Sequence, residues 1–134
     1  MKYLLDVSTL VAFGIIDHEF HPRVADWIDG LASRNALGLA TCSITELGFV
    51  RVVAQTPQYG FKVPEARDLL MQIKSRHPDT ISFIPDNHDI AHIPVWVKYP
   101  NQVTDGHLAQ LAKANGAVLA TLDRAIPGAL LIPE

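Results

Sequence analysis

The chain has 134 residues, 49% hydrophobic and 19% charged, a length that suits one domain and a composition that excludes a disordered tail. Eleven Lys and Arg against 14 Asp and Glu give a formal net charge of −3, too acidic for a protein that holds nucleic acid by bulk charge alone. The one cysteine, Cys42, has no partner for an internal disulfide, which excludes a disulfide-stapled secreted scaffold and fits a reducing cytosol.

The period of the apolar residues changes along the chain. Tyr3-Leu4-Leu5 is a short apolar run suited to a buried strand, and Ser8 to Ile16 follows as a hydrophobic helix. Asp6 interrupts the apolar stretch from Tyr3 to Ile16, and no small-residue cleavage site follows, so a secretory leader is not expected. Nor does any stretch reach the ~18–20 uninterrupted apolar residues of a spanning helix. The expectation is a soluble, cytoplasmic protein with no membrane partner. Pro22 opens a second helix, where Val24, Trp27, Ile28 and Leu31 fall on one face. Leu37 to Cys42 reads as a second buried strand, and Ser43 starts a helix through about Gln55. Thr56 to Gly60 is a loop, after which Pro64 begins an amphipathic helix with Ala66, Leu69, Leu70 and Ile73 inward.

Thr80 to Ile84 has the β-branched and aromatic composition of a strand. Residues 86–98 are ambiguous: Ile90, Ile93 and Val97 have helical spacing, but Pro94 opposes a long helix. Thr104 introduces a helix that stops at Gly116, Ala117 to Leu122 is a fourth strand, and Ala129 to Ile132 is a short fifth. Strands alternating with helices imply parallel pairing. The expected fold is therefore an α/β three-layer sandwich, a central parallel sheet of four to five strands flanked by helices, in a single domain over residues 1–134. In such sheets polar chemistry collects beyond the carboxyl ends of the strands.

Asp6 directly follows the first strand and Asp123 the fourth; Glu46 lies in the first turn of the helix after the second strand, and Asp105 begins the helix before the fourth. Each has a bland explanation. Ser43 to Glu46 fits a capping box, Asp105 suits the positive end of a helix, and Asp6 and Asp123 suit strand-ending turns. Together they change the balance, because carboxylates gathered on one rim repel by ~4 kcal/mol per pair at 4 Å and an effective dielectric near 20. A site that tolerates this holds cations or protonates an acid. Oxygen-only ligands suit Mg²⁺ or Mn²⁺. Ser8 and Thr121, each two residues from an acid, are candidates to orient the carboxylates.

Leu4-Leu5-Asp6-Val7-Ser8 resembles the opening of the PIN-domain ribonucleases. The runs Val103 to Ala109 and Leu119 to Arg124 resemble their C-terminal signature, and Thr45 to Arg51 is similar to the middle acidic motif of VapC-type toxins. The resemblance implies a Mg²⁺-dependent (or Mn²⁺-dependent) endoribonuclease of PIN-like fold, the toxin half of a bacterial toxin–antitoxin pair. Asp6, Glu46, Asp105 and Asp123 would be its acidic quartet, with Asp6, Asp105 and Asp123 on metal and Glu46 on metal or the attacking water. It further implies a homodimer and a small cognate antitoxin. Ser8 stands where the family often has Asn.

Arg51 and Arg124 are candidate phosphate contacts, because a guanidinium binds phosphate as a fork. Trp96 and Tyr99 have the chemistry to stack on unpaired bases, but partial burial in the core is the expected role of both. His88 and His92 have i, i+4 spacing, yet the residue after His88 is Asp89 rather than the Glu of a zinc-protease helix. Two further readings stand beside the nuclease: a catalytically inactive interaction domain of the same fold, and a Mg²⁺-binding receiver-type phosphoacceptor. The latter wants paired acids after the first strand, where this chain has Asp6 alone.

Overall fold

Leu4 and Leu5 are both fully buried although they point to opposite faces of their strand. A strand covered on both sides needs helices above and below it, and the chain supplies them. The computed structural model describes residues 1–134. Its strands are β1 (Lys2–Leu5), β2 (Leu39–Cys42), β3 (Ile81–Ile84), β4 (Ala117–Thr121) and β5 (Leu130–Leu131). Its helices are α1 (Val7–Gly14), α2 (His21–Ser33), α3 (Ser43–Gln55), α4 (Val63–Arg76) and α5 (Val103–Ala114). The five strands lie in the order β3-β2-β1-β4-β5 and every neighbouring pair is parallel. The expected architecture is thus the observed one, including the short fifth strand.

Two cores result. On one face Leu5, Leu10, Val24, Phe49, Val53 and Leu70 bring α1 to α4 together; on the other, Leu4, Ala40, Cys42 and Ile84 meet Leu108 and Leu111 of α5. Cys42 is fully buried and behaves as a small apolar residue. Two close approaches fix the helices around the end of β1. A Cβ at Gly48 would overlap Val7, so the bare glycine lets α3 lie against the residue after Asp6. A Cβ at Gly106 would overlap Val97 and crowd Pro94, which sets the 94–97 segment against the first turn of α5.

Residues 86–98 hold only one 3₁₀ turn, Ile90–His92, and the segment beyond it is irregular through Pro94. No helix is long and apolar enough to cross a membrane. Leu4 pairs with Ala40 and Leu5 with Ala120, so β1, β2 and β4 end level and the residues after them share one rim.

Candidate active site

Asp6 occupies the N-cap of α1 and is almost wholly buried. The amide of Thr9 donates to its Oδ1 at 2.9 Å, and the Thr121 hydroxyl donates to Oδ2 at 2.6 Å. The same Thr121 oxygen accepts from the backbone N–H of Asp123 at 3.0 Å. One threonine at the end of β4 therefore links two acids that lie far apart in the sequence. Asp123 is exposed, and its Oδ1 closes a turn by accepting from Ala125 N–H at 2.9 Å. Asp105 projects from the first turn of α5.

These three carboxylates line one cleft, in company with Ser8, Thr121 and Leu122. Burial, and then the charges of Asp6 and Asp123, push the Asp105 carboxyl above its ordinary value. The acids therefore stand close enough to feel one another. Ser8 is exposed on the cleft wall. His18 and Phe20, from the loop between α1 and α2, line the same cleft.

Glu46 lies elsewhere on the rim. Its Oε2 accepts from both Thr41 Oγ1 and Lys74 Nζ at 2.6 Å, and its side chain lines a groove between α3 and α4 instead of the aspartate cleft. The capping-box reading of Ser43 to Glu46 is corrected: the cap is Cys42, whose N–H donates to Thr45 Oγ1 at 3.0 Å. The carboxylate of Glu46 is thus free of any capping duty, and both bonds fall on one of its oxygens. Arg51 lines the same α3–α4 groove, and Arg124, though next to Asp123 in sequence, extends into solvent and bonds Glu134 at 3.1 Å. Trp96 packs partly buried under α5, whereas Tyr99 is exposed.

His18, Phe20, Thr9 and Lys74 carried no signal that assigns them to a site. Lys74 is 28 residues from Glu46, and the Thr9 contact uses a backbone amide that any residue type supplies. The histidines His88, His92 and His107 do gather, with the first two rings stacked at 4.2 Å, but His107 is committed to Asp86 at 2.5 Å. Nowhere do three His, Cys, Asp or Glu side chains stand arranged to chelate an ion as they are. For the aspartate cleft this still fits Mg²⁺ or Mn²⁺. Magnesium keeps several waters and is commonly bound through only one or two carboxylates, and the donors here are oxygens alone.

No family model matches the chain. Its sequence is 38% identical over 126 residues to Ribonuclease VapC29 of Mycobacterium tuberculosis, covering 92% of this chain and 86% of that protein. It is 36% identical over 131 residues to Ribonuclease VapC38 of the same organism, with 92% and 86% covered. Among solved structures, the crystal structure of VapBC2 from Rickettsia felis bound to a DNA fragment from their promoter matches with a TM-score of 0.58 at 15% identity, covering 97% of this chain and 96% of that one.

Proposed function

The chain belongs to the VapC family of ribonucleases, and from that premise we propose that it cuts RNA as the toxin of a toxin–antitoxin pair. It is an endoribonuclease, and its working site is the cleft of Asp6, Asp105 and Asp123. The observation that carries this reading is the convergence of three carboxylates from separate segments on one rim, with Asp105 pushed toward its neutral form by burial and by the other two.

Asp6, Asp105 and Asp123 are the residues to hold a divalent ion, Mg²⁺ or Mn²⁺. Such an ion, when bound, supplies charge stabilisation for the pentavalent phosphorus state and lowers the pKa of the attacking water. The chain's own groups do the rest. Thr9 N–H and Thr121 Oγ1 fix the plane of the Asp6 carboxylate and so keep its remaining lone pairs aimed at one place. Ser8 offers a hydroxyl on the same wall. Glu46 stands outside the aspartate cleft with Oε2 held by Thr41 and Lys74; its assignment to the attacking water requires the side chain to turn from the α3–α4 groove when RNA binds. Arg124, beside Asp123, is assigned to an RNA phosphate, for which it would exchange its exposed Glu134 contact. Arg51 is the cation farther along α3 for the same strand.

The partner is an antitoxin protein, and the α3–α4 groove suits it. Leu47, Val63 and Met71 are exposed there beside Arg51 and Arg67, a surface complementary to an acidic amphipathic segment. We also assign the chain to the cytoplasm, as a homodimer in one domain over residues 1–134, as the family resemblance implies.

The deciding experiment incubates total bacterial RNA with the protein in Mg²⁺ and maps new 5′ ends. Cleavage should vanish with EDTA and fall at least ~100-fold in Asp6→Asn and Asp105→Asn, the scale expected when charge stabilisation is removed from a phosphoryl-type transition state. Unchanged rates in both variants would remove the assignment.

A further inference from the structure

The cleft of the three carboxylates is lined also by His18 and Phe20, from a loop held by several hydrogen bonds. His18 N–H donates to Ile15 O and His21 N–H to His18 O, both at 3.0 Å, while Val24 N–H donates to Phe20 O at 3.1 Å. His21 Nδ1 lies 2.7 Å from Ala12 O, which ties the loop to α1 as well. Within this frame Phe20 stays 38% exposed, although it faces the cleft rather than a packed core. Its ring sits 5.9 Å from the His18 ring, tilted by 45°, and 6.0 Å from the Arg23 guanidinium carbon. Arg23 in turn donates through Nε to Ile132 O at 3.0 Å, so the cation under the ring is anchored.

The histidine's hydrogen-bonding state follows from one contact. Phe20 N–H donates to His18 Nδ1 at 3.0 Å, so Nδ1 is the acceptor nitrogen. In a neutral imidazole the proton then sits on Nε2. Burial, and also the neighbouring His21, lower the pKa of His18 against the opposing charge of Glu19, which keeps the ring neutral. A neutral N–H donor and an exposed aromatic face thus share a cleft that no Lys or Arg lines. Phosphate charge is not what this wall reads. A flat, uncharged ring with acceptor oxygens nearby is what it fits, and an unpaired nucleobase with its ribose is such a group.

We propose that His18 and Phe20 form the base-holding wall of the cleft, Phe20 stacking on an unpaired base next to the cut phosphodiester and His18 donating Nε2–H to an oxygen of that nucleotide. The inference rests on the ribonuclease reading and deepens it by naming the two side chains that hold the nucleotide beside the cut; a base held in a duplex cannot reach the ring. Leu122 gives the cleft a second apolar side chain.

The test is anisotropy with a fluorescein-labelled, mixed-sequence RNA 12-mer, alone and annealed to its complement, in Ca²⁺ to suppress cleavage. Phe20→Leu should weaken single-strand binding roughly five- to tenfold, within the range of one lost base–aromatic stack, and leave duplex binding unchanged. Phe20→Trp should restore it. His18→Leu should weaken single-strand binding, and His18→Gln, which keeps an N–H donor, should recover most of the loss. The Mn²⁺-induced rise in melting temperature should match wild type in all four, which shows an intact acid cleft. Phe20→Leu and His18→Leu binding the single strand within a factor of two of wild type, while wild type cuts RNA, overturns this wall alone. Wild type neither binding the single strand nor cutting RNA overturns the ribonuclease reading and the wall with it.

Discussion

The two oxygens of Asp6 are occupied within the chain, Oδ1 by the Thr9 amide and Oδ2 by the Thr121 hydroxyl, and each keeps a further lone pair for a ligand. Asp6 caps α1 and still has lone pairs open to an ion, so the bland explanation of this residue leaves the proposed one intact. Asp105 differs, because its raised carboxyl records burial and then repulsion from Asp6 and Asp123. A carboxyl whose folded pKa lies above its unfolded value binds its proton more tightly when folded. Stability therefore falls as pH rises through the interval between the two values, and at neutral pH the ionised group costs free energy. Asp105→Asn should raise the melting temperature of the metal-free protein by about 2–4 °C while diminishing the further rise on adding Mn²⁺. Scanning calorimetry with and without Mn²⁺ reads both, and a lower metal-free melting temperature would contradict the repulsion. The position of these three acids was legible because each abuts a strand or opens a helix. Lys74 beside Glu46 was not, since a pair 28 residues apart leaves no local period.

At the scale of elements, strands and helices could be read where a period of two or 3.6 runs long enough to repeat, and α3 begins and ends where its pattern does. The stretch 86–98 has no such period, and what orders it is a pair across 21 residues: His107 near the start of α5 and Asp86 just past β3, 2.5 Å apart and mostly buried. That pair ties α5, and with it Asp105, to the far side of the sheet. Burial alone would raise the Asp86 carboxyl, but the His88 N–H, the bond and charge of His107, and the charge of His88 outweigh it and hold it low. A depressed carboxylate adds stability that is present above its unfolded pKa near ~3.9 and is lost as pH falls through the folded value. Asp86→Asn should therefore cost ~1–2 kcal/mol near neutral pH, the worth of a charge-assisted bond, and progressively less below about pH 4. Urea melts at a series of pH values check this; a gap between variant and wild type that stays constant into acid would mean that the carboxylate charge contributes nothing.

For the molecule as a whole, the net charge of −3 and the cation-free lining of the cleft bear on how the proposed RNA substrate would be held. The basic side chains Arg51, Arg67 and Lys74 collect at the α3–α4 groove, and Lys74 is already spent on Glu46. Composition alone leads to the expectation that bulk electrostatics do not carry binding. Which cations face which groove was hidden, because that depends on how α3 and α4 pack. A protein that neutralises Z phosphates of a single strand shows a slope of log K against log salt of about −0.7Z. With Arg124 and at most one further cation near the RNA path, the slope in monovalent salt should lie near −1, with a much stronger dependence on Mg²⁺ or Mn²⁺ because the divalent charge offsets the acids. Anisotropy titrations of the RNA 12-mer across KCl concentrations, at fixed Mg²⁺ and then without it, measure both. A monovalent slope steeper than about −3 would require more than about four phosphate contacts, which means a basic RNA path lying outside this cleft, and the aspartates would then mark the point of cutting but not the surface that binds.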